Sequence, residues 1–193
     1  MKRFLILAAV ALALGGCANG FSLVAGERAK LGTAMSVAPE GARNRQISGN
    51  NEVWTLDGPA LQTLRFVVGA ADGEPIVPRP NATFNEPQKD APKFHDNMTP
   101  PEVAELLVAT FTQLGANNTE TKGLKPAKFG VDEGFRFEIA FTARSGLECQ
   151  GFAVGRIKDK KLYMAIYTAP KLFFFERDRG RVEHMIETLR FDT

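Results

Sequence analysis

Four stretches in the C-terminal half, residues 120–127, 134–143, 147–157 and 162–168, carry the period-two rhythm of β-strands. All but the first are apolar at both parities. Two-residue turns at Ser145-Gly146 and Asp159-Lys160 would set the register. Ile139 then stands opposite Phe152, Phe137 opposite Val154, and Phe152 opposite Tyr167. One face would hold Phe135, Phe137, Ile139, Phe141, Phe152, Val154, Tyr163, Ala165 and Tyr167. The other would hold Ala140, Thr142, Cys149, Gly151, Ala153, Gly155, Ile157, Leu162, Met164 and Ile166. A fully buried Phe contributes roughly 1.5–3 kcal/mol, so neither face can be left wet. Such a sheet needs a cover on each side.

Two segments have the pattern to supply those covers. Thr99 is a good N-cap, Pro100 suits the first helical position, and Glu102 completes a capping box. Met98 can staple onto Val103. Val103, Leu106, Leu107, Thr110, Phe111 and Leu114 then recur at helical spacing, and Gly115 closes the helix. Near the C-terminus, Val182, Met185, Ile186 and Leu189 fall on one helical stripe. The expected class is α+β, an antiparallel sheet covered by helices on both faces.

Earlier in the chain the signals are thinner. Strands are expected near residues 34–37, 52–55 and 61–68, with a polar loop between the first two and a turn at Asp57-Gly58-Pro59. Residues 69–97 hold Pro75, Pro78, Pro80, Pro87 and Pro92 with little periodicity, and read as a long surface excursion.

Composition narrows the function classes. Lys and Arg total 24 against 22 Asp and Glu, and Lys2 and Arg3 belong to an apparent leader, so the remaining chain is near neutral. Polyanion binding through a general basic field, nucleic acid included, is not expected. Hydrophobic residues make up 44% of the 193, enough for a sizeable core. Two Cys are too few for a disulfide scaffold or a Cys-rich zinc module.

Met1-Lys2-Arg3 is a cationic head followed by eleven apolar residues from Phe4 to Leu14. As helix this run spans about 16 Å, far short of a bilayer core, and fits the apolar region of a secretory signal. It ends in Leu14-Gly15-Gly16-Cys17, which resembles the bacterial lipobox. That resemblance implies cleavage before Cys17, diacylglycerol on its Sγ, and acylation of the new amino terminus. Several acyl chains, at roughly 0.8 kcal/mol per buried CH₂, make a durable anchor. Ala18 implies, for a Gram-negative cell, transfer to the outer membrane with the domain on its periplasmic face. The expected organisation is a leader over 1–16, a lipidated tether over 17–31 and a single domain over 32–193.

The ending from Leu162 through Tyr167, Thr168, Ala169 and Pro170, then aromatics and a helix finishing Leu189-Arg190-Phe191, resembles the close of PsbP-type domains. The order of two or three strands, a helix, four strands and a final helix is similar to that family. Trp54, Thr55, Asp57, Gly58 and Leu61 also resemble a stretch found in bacterial envelope lipoproteins. PsbP-like domains serve as binding, stabilising or assembly modules, so the resemblance implies a non-catalytic role.

Candidate chemistry is sparse, and no catalytic residue, metal ligand or cofactor is expected. His184 lies between Glu183 and Glu187 but about 200° around the helix from Ile186, on a solvated face. His95 sits beside Asp96 in the long excursion, a surface polar cluster or, in a third reading, the centre of a hydrolase. The serines form no Gly-x-Ser-x-Gly elbow or Ser-x-x-Lys arrangement, and no phosphate-cradling glycine loop is present. Cys149 is expected to be an inert thiol under a helix. Lys158, Lys160 and Lys161 read as a solvated turn.

Phe173, Phe174 and Phe175 form the cluster of greatest interest. Three consecutive aromatics cannot all face one way. Either at least one is exposed for a protein or lipid contact, or they plug the end of the sheet. The chain is therefore expected to be an outer-membrane-anchored binding or assembly module with an envelope protein as partner. The alternative is a lipid- or small-ligand-binding protein using a cleft beneath the Pro-rich segment.

Overall fold

The computed structural model describes residues 20–78 and 91–192. The leader, Cys17, Ala18, Pro80 and Pro87 lie outside the described residues. Within them the chain runs β1 (Ser22–Val24), β2 (Ala29–Leu31), β3 (Met35–Val37), β4 (Arg43–Ser48), β5 (Asn51–Thr55) and β6 (Thr63–Ala70). Helix α1 (Pro100–Gln113) follows, then β7 (Asn117–Phe129), β8 (Asp132–Thr142), β9 (Glu148–Lys158), β10 (Lys161–Pro170), α2 (Phe174–Glu187) and β11 (Arg190–Phe191).

Eight strands form one antiparallel sheet in the order β1-β4-β5-β6-β10-β9-β8-β7, and β11-β3-β2 form a small second sheet. The large sheet is apolar on both faces and covered on both, as its sequence requires. On one face Val103 and Leu107 of α1 pack with Val67, Phe135, Phe137, Ile139, Met164 and Ile166. The two ends of the Pro-rich excursion add Ile76, Val77 and Phe94 to that layer, joined by a bridge between Pro75 and Lys93. On the other face Val182, Met185 and Ile186 of α2 meet Trp54, Phe66, Phe152, Val154 and Tyr167, and the small sheet contributes Leu31, Met35 and Val37.

Helix α1 starts as its sequence predicts. The Thr99 backbone N–H and hydroxyl both donate to Glu102 Oε2 at 2.7 Å. The β9–β10 register also agrees, because Asp159 and Lys160 form a two-residue turn with φ of 50° and 62°, and Phe152 stands opposite Tyr167.

The β8–β9 register differs from expectation by one residue. Ile139 pairs with Gly151 and Phe137 with Ala153, not with Phe152 and Val154. The turn holds three residues, closed by Ala143 and Leu147, with Gly146 at φ +85° accommodating the left-handed position. A one-residue slip turns a whole strand over. Phe135, Phe137 and Ile139 therefore face α1 with Ala153 and Met164, while Phe152, Val154 and Tyr167 face α2.

Three short features correct the N-terminal expectations. The polar loop before β5 is strand β4, which pairs with β5 from Asn44↔Thr55 to Ser48↔Asn51. Residues assigned to a tether supply β1, which pairs with β4, and β2, which pairs with β3. Residues 190–191 return as β11 to complete the small sheet.

Candidate functional site

Beyond Pro170 the chain leaves the sheet, and within four residues it begins α2. The tight link exposes Leu172 (84%) and Phe173 (67%), leaves Phe174 half-buried, and buries Phe175 (6%). The aromatic triplet is thus split between a buried member and an exposed one. Phe175 plugs the sheet, stacked on Tyr167 at 5.7 Å and 19°. Phe173 projects outward together with Leu172, which the sequence did not single out.

Phe173 has φ 73° and ψ −61°, and the Phe174 N–H donates to the Leu172 carbonyl at 3.0 Å. This is the three-residue γ-turn of positive φ, a strained conformation for any residue with a Cβ. The Arg177 guanidinium lies 5.4 Å from the Phe173 ring and 5.0 Å from that of Phe174.

Beneath this tip is a polar base. Gln62 Nε2 donates to Asp178 Oδ2 at 3.1 Å, and the Leu56 N–H donates to Gln62 Oε1 at 3.0 Å. Arg177 Nε donates to Asp178 Oδ2 at 3.1 Å, and the same guanidinium pairs with Asp57. The Tyr167 hydroxyl donates to the Phe174 carbonyl at 3.1 Å. Arg43, 1% exposed, lies in the field of Asp178; burial lowers its pKa and the carboxylate opposes that shift. The tip rests on a hydrogen-bonded base.

A second feature lies on the α1 face. A cleft of about 230 Å³ opens between the end of α1 and the sheet, floored by Phe111, Leu114, Phe141 and Ile166, with Val77 of the Pro-rich segment in its wall. Phe111 and Phe141 meet edge to face at 5.0 Å. Arg65 of β6 and Arg144 of the β8–β9 turn are among its lining residues. Arg65 Nη1 donates to Asn51 Oδ1 at 3.3 Å, and burial lowers its pKa to about 10. Arg144 lies flat over Gly115, where a Cβ would stand 1.9 Å from its Nε. Gly115 also has φ +91°, so the turn favours glycine there.

Sequence reasoning missed Arg65 and Arg144, which are distant in the chain. The available signal was a lone Arg inside an otherwise apolar strand.

The remaining candidates stand apart from both features. His95 Nδ1 is 3.0 Å from Asp72, not from Asp96, whose carboxylate pairs with Lys160 at 3.0 Å. His95 and Asp72 are both more than half exposed. The hydrogen bond from His95 lowers the Asp72 pKa. His184 is exposed and 3.3 Å from Glu40. Cys149 is buried, and burial raises its thiol pKa; it sits opposite Phe141, on the face with the larger side chains rather than the smoother one. Lys158 pairs with Asp159. Among the described residues no group of three His, Cys, Asp or Glu side chains is placed to hold a metal.

No family model matches the chain, and no curated protein matches its sequence. Among solved structures it is similar to cyanobacterial PsbP (CyanoP) from Synechocystis sp. PCC 6803, at 8% identity over 93% of this chain and 99% of that one, with a TM-score of 0.48. It is also similar to LpqN of Mycobacterium tuberculosis, described as involved in cell envelope biogenesis, at 9% identity over 93% and 88% of the chains and a TM-score of 0.36.

Proposed function

We propose that the chain is a lipid-anchored, non-catalytic module of the cell envelope that docks a protein partner through the tip at Leu172 and Phe173. The observation that carries this reading is the conjunction of exposure and strain at Phe173. A left-handed γ-turn costs about 1–3 kcal/mol, and here it presents two large apolar side chains to solvent. Burying that pair against a partner would recover several kcal/mol. Hydrogen bonds made by Gln62, Tyr167 and Asp178 anchor the tip from beneath, which would limit the ordering cost of docking.

Cys17 would tether the domain to the outer membrane, with Ala18 directing it there in a Gram-negative cell. Metabolic labelling with a palmitate analogue should mark the protein, and a Cys17→Ser form should not label. The docking reading is tested by crosslinking in cells and pulldown from solubilised envelopes. Wild type should recover a stoichiometric protein partner, and Leu172→Ser/Phe173→Ser should lose it. Recovery of the same partner by both forms, or of none by wild type, contradicts the reading. A second reading, small-ligand binding beneath the Pro-rich segment, is favoured by a different observation, the cleft at the end of α1.

A further inference from the structure

We infer that the cleft between the end of α1 and the sheet binds a small organic anion, an apolar ring or short acyl chain bearing a carboxylate. This deepens the ligand-binding reading and shares no residue with the docking tip, so either can fail without the other.

Size comes first. At about 230 Å³ the cleft is larger than an apolar cavity of about 150 Å³ that takes benzene. It is smaller than the roughly 300 Å³ at which pockets for drug-sized ligands begin. One ring or a short chain fits. The floor of Phe111, Leu114, Phe141 and Ile166 offers such a body no hydrogen bond and favours it by burial alone.

Charge decides the head group. Among the described residues Arg65 and Arg144 line the cleft, no acidic side chain does, and neither guanidinium has an ion pair. A guanidinium beside an apolar cleft and without an ionic partner is available to an arriving anion. Its planar fork matches a carboxylate. Thr63 and Thr168 also line the cleft, the Thr63 hydroxyl donating to the Pro59 carbonyl at 3.0 Å.

The other hollows lack this combination. The groove along β7 contains Lys122 and Lys125, but Glu183 already occupies its Arg136 and Arg179 at 2.6 and 3.2 Å. The hollow near Tyr163 contains Glu52, whose Oε1 accepts the Gly32 N–H at 3.0 Å. Of these three hollows the α1 cleft alone combines two arginines lacking ion pairs with an apolar floor.

The test is an amide-resolved NMR titration of the full chain with octanoate, with octanol and acetate as controls. Shifts should gather at Arg65, Gly115, Ala116 and Ile166, with octanoate bound at least tenfold more tightly than either control. Arg65→Gln and Arg144→Gln should each weaken octanoate about tenfold and leave octanol unchanged. Arg144 is exposed, so its variant keeps the charge test valid if Arg65→Gln does not fold. Equal affinity for octanol, insensitivity to both substitutions, shifts centred on residues 172–174, or no binding would each overturn the inference.

Discussion

Arg177 holds its guanidinium 5.4 Å from the centre of the Phe173 ring, so the aromatic that projects from the tip is tied to the first turn of the helix it precedes. The same group reaches Asp57 and Asp178, which join the tip to the β5–β6 connection and to the buried base. Exposure at Phe173 is therefore held in place by the fold.

The strain at Phe173 separates docking from stability. Glycine adopts its φ of 73° freely, which offsets glycine's own entropic cost of roughly 0.5–1 kcal/mol and the loss of the exposed cation–π contact. Phe173→Gly should unfold in urea within about 1 kcal/mol of wild type. Phe175→Ala, which empties a buried site, should lose about 3–5 kcal/mol. Equal losses for the two would show that Phe173 is a core residue and the tip a by-product of packing.

Asp178 offsets a buried charge. Both Arg43 and Asp178 are 1% exposed, and removing the carboxylate would leave the guanidinium without its strongest compensating charge. Asp178→Ala should therefore cost about 3–5 kcal/mol in denaturant unfolding. A loss below about 1 kcal/mol would mean that Arg43 is solvated in the folded chain.

The observed β8–β9 register makes Gly155 a packing requirement. An added Cβ would stand 2.7 Å from the Phe135 ring and 3.1 Å from Met164. Gly155→Ala should destabilise by about 1–3 kcal/mol. A neutral result would favour the alternative in which Phe135 faces the other helix.

Tyr167 predicts an alkaline limit. Burial raises the pKa of its hydroxyl above the ordinary value, while in the unfolded chain the proton leaves near pH 10. The contribution is whole below that pH and is lost as pH climbs towards the raised folded value. Urea midpoints should therefore drop from pH 9 to pH 11 more in wild type than in Tyr167→Phe. Identical drops would place the alkaline loss elsewhere.

What was legible in the sequence follows from how local the signals are. The α1 start is written in Thr99, Pro100 and Glu102, and the β9–β10 register in the two-residue turn of Asp159 and Lys160. The β8–β9 register was not legible because both sheet faces are apolar: Phe137 is equally at home over α1 or α2, so hydrophobicity cannot detect a slip. Strands of two or three residues such as β1, β2 and β11 carry no periodicity and exist through their partners. The tip was visible as three adjacent aromatics. The cleft was not, because Arg65 and Arg144 come together only through the sheet and the end of α1.

Docking through the tip is tested most directly by a photo-crosslinking residue at position 173, activated in living cells, with position 131 as control. Val131 matches Phe173 in exposure at 67% but lies at the β7–β8 turn. A discrete protein adduct from position 173 and none from position 131 is the predicted result. No adduct at 173, or the same adducts from both positions, would contradict the account.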